Sequence, residues 1–327
     1  MASVPAERVL VVVNAVARGG PALLLDEVLQ VSRALGFEAV VLEPQGSDRS
    51  IAEVADAVAG GGPWATVVAV GGDGSVRAVA EGLARGLRRL GTPGSAAEMP
   101  STPAPPLFVV PGGTGNSVYR ALWEDHPWSE VLAGALTGHA RVRDLDLLRI
   151  AETGSIVLLG ASAGLVAEAV RVSERLEGVE GRDRYQAAAI TALEEHTPFP
   201  ARVKVDGATL HEGPSTLVAV GGARHRAGTF QLLPLSVLDD GLLDVCVIRG
   251  VDAGAFVELA GVVTAGEHVG RPEVAYAQGR AVTIERTDGA PLTFEHDGDL
   301  WDRRDSALTI EVAATVPAFA PLRALAG

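Results

Sequence analysis

Lysine is almost absent from this 327-residue sequence, in which Lys204 is the only example. The phosphate loop of many ATPases and the nucleotide site of protein kinases each need a lysine beside a glycine-rich loop. Both kinds of site are therefore excluded. Any phosphate site in this chain must use backbone amides, arginine or a metal ion.

Cysteine and long apolar runs are scarce as well. Cys246 is the only cysteine, which excludes an internal disulfide and fits a reducing compartment. No signal-peptide pattern precedes the first apolar run, and no uncharged run approaches the roughly 20 residues of a membrane span. We therefore expect a soluble, cytoplasmic protein.

Basic residues are outnumbered, 27 against 41 acidic ones, and the net charge is −14. This balance argues against a nucleic-acid partner and against bulk attraction to anionic membranes. Apolar residues make up 47% of the chain, enough for a sizeable core, and its length predicts two domains. Two local basic clusters are candidate membrane contacts: Arg85, Arg88 and Arg89, and Arg224, His225 and Arg226.

The first 140 residues alternate between β-branched runs and helical periodicity. Predicted strands at 9–13, 39–42, 67–70 and 107–110 are followed by helical patterns. This order predicts an α/β domain at 1–140 with a Rossmann-like parallel sheet, interrupted by a proline-rich connection at 91–106.

Two of these strands end in glycine-rich turns, Gly71–Ser75 and Pro111–Ser117. Gly71, Gly72 and Gly74 are expected to allow positive φ and close approach of a ligand. Amides at a helix N-terminus suit a phosphate, and turns at the carboxyl ends of strands in one sheet converge on one crevice. Taken alone, the first turn fits either a phosphate cradle or a sharp strand–helix turn capped by Asp73.

After residue 140 the pattern changes to short strand-like runs, the last of them at 308–312. Many are separated by Asp-Gly turns, at Asp206, Asp240, Asp288 and Asp297. We predict a mainly antiparallel β-sandwich or curled barrel over 141–314, interrupted by helices at 165–176 and 185–195. The remaining residues, 315–327, are expected to form a tail that packs back onto the first domain.

Four motifs in this order resemble the diacylglycerol kinase catalytic-domain family: Gly71–Ser75, Pro111–Asn116, Asp239–Asp244 and Asp297–Asp299. That family includes bacterial diacylglycerol kinases, sphingosine kinases and, more distantly, NAD kinases. The resemblance covers about residues 8–300. It implies a two-domain kinase that holds ATP between its domains and phosphorylates a hydroxyl of diacylglycerol or a related lipid alcohol, with Mg²⁺.

The resemblance also implies roles for individual residues. Asp73 would hold Mg²⁺ or accept the proton of the acceptor hydroxyl, and Asp297 matches the position of a base for that hydroxyl. Asp240, with the carbonyls of Val237 and Leu242, matches a structural Mg²⁺ site. The positions that match nucleotide-binding ones are Asn14, Gly71, Gly72, Gly74, Ser75, Gly112, Gly113, Thr114 and Asn116.

Simpler interpretations stay open for several of these residues. The Asp-Gly pairs that contain Asp240 and Asp297 also fit plain hairpin turns, and Asn14 fits a strand-end turn. The sequence departs from the family at Ala78, where a glutamate is usual, and at Ser117, where bacterial relatives carry aspartate. An NAD kinase-like enzyme and a catalytically weak lipid- or nucleotide-binding regulator are therefore the alternatives.

The expected partners follow from the lipid-kinase interpretation. They are a lipid alcohol substrate and a membrane surface, touched transiently as a peripheral protein. No nucleic acid is expected. The sequence leaves a homodimer open as the assembly state.

Overall fold

The computed structural model describes residues 7–13, 21–90, 104–113, 115–176, 178, 181–225, 230–251 and 253–322. The chain divides into two compact units, of which the first holds the residues up to Leu145 and from Ala314 onward. The second holds Asp146–Ala313. Several predicted features lie outside the described residues. They are Asn14, Thr114 and Arg226, together with residues 91–103 of the proline-rich connection and 323–327 of the tail.

The first unit is an α/β fold. Its elements are β1 (Arg8–Val13), α1 (Pro21–Ala34), β2 (Glu38–Leu42), α2 (Ser47–Ala59), β3 (Trp64–Gly71), α3 (Asp73–Leu90), β4 (Leu107–Pro111), α4 (Ser117–Trp123), α5 (Trp128–Leu136) and most of β5 (Ala140–Ile150). Strands pair in parallel in the order β2, β1, β3, β4. The predicted fold class is confirmed for this unit.

The centre of this sheet explains its apolar sequence. Val67–Val70 of β3 are 0% exposed, as expected for a parallel strand covered on both faces. Helix α3 packs against α2 closely enough that a Cβ at Gly82 would lie 2.8 Å from Cβ of Val54. This contact fixes α3 beside the sheet, so the turn that joins β3 to α3 has a defined position.

The second unit is mainly antiparallel. Its elements are β6 (Ile156–Val157), β7 (Gly160–Gly164), α6 (Leu165–Arg175), α7 (Gly181–Glu195), β8 (Phe199–Val205), β9 (Ala208–Gly221), β10 (Leu243–Arg249), α8 (Ala253–Thr264), β11 (Val274–Gly279), β12 (Ala281–Arg286), β13 (Phe294–His296), β14 (Asp299–Leu300) and the first part of β15 (Ala307–Pro321). Strands neighbour one another in the order β14, β13, β7, β9, β8, β12, β15, and β10 pairs with β9 and β11. The antiparallel β-sandwich prediction is confirmed.

Two cores lie on opposite faces of this unit's strands. Val218 and Val220 of β9 belong to a core built from strand residues, whereas Leu217 and Ala219 face a second core that includes side chains of α6, α7 and α8. Because strand residues alternate between faces, β9 is buried on both sides there. That burial accounts for the uninterrupted apolar run at its end.

The structure contains elements that the sequence pattern did not predict. Helices α5 and α8 and strand β11 are new, and the strand predicted at 308–312 continues to Pro321 as β15. In the first unit, Ala318 of β15 pairs in parallel with Leu107 of β4. Small buried residues such as Ala318 allow this pairing. Helix α8 has one charged residue, Glu258, so its sequence shows little helical periodicity.

Candidate active site

The two glycine-rich turns of the first unit lie against each other. The Gly112 N–H donates to the Gly71 carbonyl at 3.0 Å. A Cβ on Gly113 would lie 2.4 Å from the Gly72 Cα, which is closer than real atoms approach. Glycine at 113 is therefore required for contact between the two turns, and a Cβ on Gly72 would also be tight, at 3.2 Å from the Gly113 Cα, before any ligand is considered.

Of the three glycines that we expected to allow positive φ in the first turn, only one adopts it. Gly71 has φ 155°, but neither Gly72 nor Gly74 has positive φ. Gly74 is already inside α3, is exposed, and has open space where a Cβ would stand. Packing thus explains Gly72, and no contact within the described protein explains Gly74.

Asp73 joins the two turns. As the first residue of α3, it accepts hydrogen bonds from the Ser117 N–H through Oδ2 and from the Val118 N–H through Oδ1, each at 3.0 Å. These amides belong to the first turn of α4, where N–H groups lack intrahelical partners. A carboxylate there is also stabilised by the helix dipole. The aspartate-cap interpretation is therefore correct in part, because Asp73 caps the helix that follows the other turn.

Asn116 has a similar local role. It has φ 51°, and its side chain accepts the Gly113 N–H and donates to the Gly113 carbonyl, both at 2.8 Å. An amide side chain keeps a second hydrogen and a second lone pair after such contacts. Binding of a nucleotide by Asn116 therefore stays a prediction, and its demonstrated contact is to the loop itself.

The departure at Ala78 coincides with close packing. Ala78 is 3% exposed on the buried side of α3, next to Val79 at 1%. Ser75, one turn earlier, is half-buried, and a Cβ on Gly71 would lie 2.9 Å from its Oγ. The hydroxyl of Ser75 therefore borders the glycine turn. Position 78, where the family usually has glutamate, instead carries a small side chain packed into the interior.

In the second unit, Asp297 receives three backbone N–H groups. Leu158 donates to Oδ2 at 2.9 Å, and Leu159 and Gly160 donate to Oδ1 at 2.8 and 3.2 Å. A carboxylate offers about four lone-pair sites, so these three contacts occupy most of them. Asp297 has φ 50° and Gly298 has φ 89°, the conformation typical of a tight hairpin turn.

A second turn shows that this arrangement is not specific to a catalytic site. Asp206 has φ 47°, and its Oδ1 accepts the Arg280 and Ala281 N–H groups, each at 2.9 Å. Nothing in the sequence assigns Asp206 a chemical role. The geometry of Asp297 is therefore compatible with a structural turn, and a catalytic role for it stays a prediction.

The predicted metal residues lie in one loop of the second unit. Asp240 Oδ1 accepts the Leu242 N–H at 3.0 Å, and the neighbouring Gly241 N–H donates to Asp146 Oδ2 at 2.9 Å. Val237 stands at the start of this loop and is 38% exposed. Across the described residues, no preformed group of three or more metal-ligating side chains is present.

Asp146 was missed by the sequence analysis. It is 5% exposed, and its N–H donates to the Leu238 carbonyl at 2.8 Å. Burial raises the pKa of Asp146, and the charges of Asp240 and Asp239 raise it further. The accumulation of negative charge and carbonyl oxygens fits a hard divalent cation such as Mg²⁺. The sequence feature that could have indicated Asp146 is its position as the one carboxylate in the otherwise apolar run 145–148.

Asp244, the last residue of the same motif, has a structural role. It is 1% exposed and accepts the Tyr276 hydroxyl at 2.5 Å and the Gln278 side-chain amide at 3.3 Å. Burial raises the pKa of Tyr276, and Asp244 contributes to the shift. These contacts of the buried Asp244 tie β10 to β11 directly after the Asp239–Asp240 loop.

Two family models match the chain in succession. The model described as "Diacylglycerol kinase catalytic domain" matches residues 8–150, and the one described as "YegS C-terminal NAD kinase beta sandwich-like domain" matches 160–314. Together they cover most of both units.

Curated relatives agree with these models. The chain is 32% identical over 249 residues to a "Probable lipid kinase YegS-like" of Xanthomonas oryzae pv. oryzae, covering 75% of each sequence. It is 25% identical over 233 residues to a "Diacylglycerol kinase" of Bacillus subtilis, covering 70% of each.

A solved structure shares the fold. A diacylglycerol kinase of Bacillus anthracis aligns with a TM-score of 0.65 at 17% identity, over 98% of this chain and 99% of that one. Among the helices that the structure describes, none is both long and apolar enough to cross a membrane.

Proposed function

The chain belongs to the diacylglycerol kinase catalytic-domain family, and from that premise we propose that it is an ATP-dependent lipid kinase. The proposed acceptor is a hydroxyl of diacylglycerol or a related lipid alcohol. The observation that carries the proposal is the position of Asp73, a carboxylate held between two glycine turns at the ends of adjacent parallel strands.

The glycine turns would hold the ATP phosphates. Helix α3 begins at Asp73, directly after the turn, and helix N-termini attract phosphate through their N–H groups and dipole. The only lysine, Lys204, belongs to β8 of the other unit, so no lysine of the first unit can neutralise phosphate charge. Mg²⁺, when bound, would supply that neutralisation. Gly71, Gly72, Gly74, Ser75, Gly112, Gly113, Thr114, Asn116 and Asn14 are the proposed nucleotide-binding residues.

The proposed chemistry is a direct phosphoryl transfer. The oxygen of the lipid hydroxyl attacks the γ-phosphorus, the bond to the β–γ bridging oxygen breaks, and ADP leaves. The hydroxyl proton passes to a carboxylate. Asp73 is the first candidate because its two N–H contacts leave about two lone-pair sites open, and Asp297 is the second because three N–H groups already occupy its oxygens.

Asp240, with the carbonyls of Val237 and Leu242, is proposed to hold a structural Mg²⁺. Support comes from the all-oxygen donor set and from the buried Asp146 carboxylate beside it. This ion would neutralise the loop that precedes β10 and would take no part in the transfer.

A lipid acceptor requires contact with a membrane surface, which we propose to be transient and peripheral. The α3 arginines are partly committed elsewhere, because Arg89 pairs with Asp56 at 2.6 Å and Arg85 pairs with Glu81. A cytoplasmic location and a homodimer stay part of the proposal.

The direct experiment is ADP release by the purified full-length protein with ATP and Mg²⁺. Diacylglycerol, a sphingoid base and NAD are offered as separate acceptors, the lipids in mixed micelles. Stimulation by a lipid alcohol, with a phospholipid product on chromatography, is the expected result. Stimulation by NAD alone would establish the NAD kinase-like alternative, and no stimulation of the folded protein would contradict both.

Gly74→Ala separates a phosphate role from a packing role. The added methyl meets no protein atom, and alanine stabilises a helix by roughly 0.5–1 kcal/mol relative to glycine. We expect an equally or more stable protein with a raised KM for ATP, because the methyl would obstruct phosphate. An unchanged KM would remove Gly74 from the phosphate site.

A nucleotide-binding regulator with weak activity is the second candidate. The observation that favours it is that both predicted catalytic carboxylates accept backbone N–H groups. ATP binding by calorimetry without turnover of any acceptor would establish this alternative.

A further inference from the structure

The second unit contains a cavity of about 220 Å³ that the phosphoryl-transfer chemistry does not use. Its wall includes Gly164 at the end of β7, whereas the Asp297 contact is at Gly160, the start of that strand. Four residues of strand span about 13 Å at 3.3 Å per residue. The cavity is therefore separate from the turn that holds Asp297.

Segments distant in sequence meet at this cavity. Glu168 comes from the first turn of α6, Phe199 begins β8, Arg286 ends β12, and Thr293 precedes β13. The Gly164 N–H donates to the Thr293 carbonyl at 3.0 Å. Glu168, Phe199 and Arg286 therefore stand on regular secondary structure, whereas Thr197, Pro198 and Thr293 lie in connections between elements.

Both charged side chains are held by other partners. Glu168 Oε2 contacts His196 Nδ1 at 2.6 Å, and the His196 side chain is 3% exposed. Arg286 donates from Nε and Nη2 to Asp288 at 3.0 and 2.7 Å, with its guanidinium 5.7 Å from the Phe199 ring centre. These contacts use one oxygen of Glu168 and two nitrogens of Arg286. The other oxygen of Glu168 and the third nitrogen of Arg286 would then be available to a ligand, since these side chains are 20% and 23% exposed, and their existing contacts preorganise them.

The chemistry of the wall selects the ligand. Two charged residues, Glu168 and Arg286, and two hydroxyl-bearing residues, Thr197 and Thr293, line the space. An acyl chain would leave these polar groups unsolvated, and the volume is below the roughly 300 Å³ at which pockets for larger ligands begin. Glu168 repels an anion and Arg286 repels a cation. The hydroxyl groups of a ligand can both donate to the carboxylate and accept from the guanidinium. The Phe199 ring offers an apolar surface to the C–H groups of the same ligand.

We propose that this cavity binds a small neutral polyol, either free or as the headgroup of a lipid. The site goes beyond the proposed kinase reaction, since its ligand need not carry the hydroxyl that is phosphorylated. Binding requires neither ATP nor turnover, so the proposal can fail or succeed independently of the kinase assignment.

The test is saturation-transfer NMR on the full-length protein without ATP, with glycerol, myo-inositol and D-glucose as probes. Acetate and choline are the charged comparisons, because both carry C–H protons that this method detects. A shift in Tm is not used, because polyols stabilise proteins by exclusion from their surface. We expect saturable binding of at least one polyol and no saturable binding of acetate or choline at this site.

Two variants assign the binding to the cavity. Thr293→Val removes a hydroxyl at nearly constant shape, and Glu168→Gln removes the charge; each is expected to raise Kd about tenfold. Glu212→Gln is the matched control, because Glu212 is an exposed carboxylate paired with Arg202 outside the cavity. Circular dichroism verifies that each variant is folded. Absence of saturable polyol binding, equal Kd in all variants, or binding of acetate or choline alone would overturn the proposal.

Phosphatidylcholine vesicles with and without a neutral monoglycosyl diacylglycerol identify the source of the polyol. If glycolipid increases vesicle binding and free glucose competes, the ligand is a lipid headgroup. If soluble polyol binds and the glycolipid has no effect, the ligand is free. Either result supports the polyol assignment.

Discussion

Asp73 and Asp297 use the same interaction in two different settings. Each carboxylate accepts backbone N–H groups from a distant segment of its own unit, two for Asp73 and three for Asp297. Asp73 begins an 18-residue helix, whereas Asp297 stands in a left-handed turn between short strands. The comparison shows that a motif aspartate can organise backbone, and that the N–H groups it already accepts limit the chemistry it can add.

The largest expected effect is the loss of turnover when the Asp73 carboxylate is neutralised. Asp73→Asn keeps the shape but loses the charge that a metal or hydroxyl proton requires, so we expect turnover to fall at least about 100-fold. Initial rates of ADP release with the best lipid acceptor measure it. Asp48→Asn, in the exposed first turn of α2, is the control. Unchanged turnover in Asp73→Asn would assign that residue to capping alone.

The contact between the two glycine turns gives the next effect. Gly113→Ala places a Cβ 2.4 Å from the Gly72 Cα, and neither backbone can yield without moving its strand end. Overpacking of this kind costs about 1–3 kcal/mol. Urea unfolding monitored by circular dichroism should show that loss, while Gly74→Ala shows none. Equal stability of the two variants would contradict the close contact.

Asp297→Asn tests the turn in the second unit. Asparagine tolerates left-handed φ but offers one acceptor oxygen to three N–H groups, so we expect a loss of about 2 kcal/mol in the free energy of unfolding.

The control for that variant is Asp206→Asn, since Asp206 forms an equivalent turn with two N–H contacts. If both variants lose stability but only Asp297→Asn loses turnover, Asp297 has a chemical role. If both variants keep turnover, Asp297 is a turn residue, and Asp73 is then the one candidate of the two for the chemical step.

The smallest effect concerns Asp146 and pH. Because the folded-state pKa of Asp146 is raised, its contribution to stability is fully present below the ordinary value of 3.8 and is lost as pH rises through the folded value. Above that window Asp146→Asn should be more stable than the wild type in EDTA, and Mg²⁺ should remove the difference. Calorimetric Tm values at pH 4 to 8 measure it. A Tm of the wild type that does not respond to Mg²⁺ would contradict a cation in this loop.

The sequence was informative wherever local chemistry and burial agreed. The apolar run at 67–70 and the glycines after it predicted a buried parallel strand and a sharp turn, and both are present. The Asp-Gly pairs at 206 and 297 predicted tight turns, confirmed by positive φ at both residues of each pair. In these cases one residue's conformational preference decides the local structure.

It was not informative where a residue's partner is far along the chain. Nothing near Asp73 indicates that its carboxylate contacts residues 117 and 118, and nothing near Asp146 indicates Asp239 and Asp240 beside it. Strand β15 was cut short for the same reason, because the run from Val316 to Ala320 becomes a strand only through its pairing with β4.

The sequence alone therefore determined the fold class, the two glycine turns and the family, because those depend on periodicity, backbone freedom and motif order. Only the tertiary structure decided which groups each aspartate contacts, since hydrogen bonds across 44 and 139 residues depend on how the chain returns to itself. The tertiary structure also explains the glycines at 72 and 113. Their backbones pack directly against each other, and a Cβ between them would force the two turns apart.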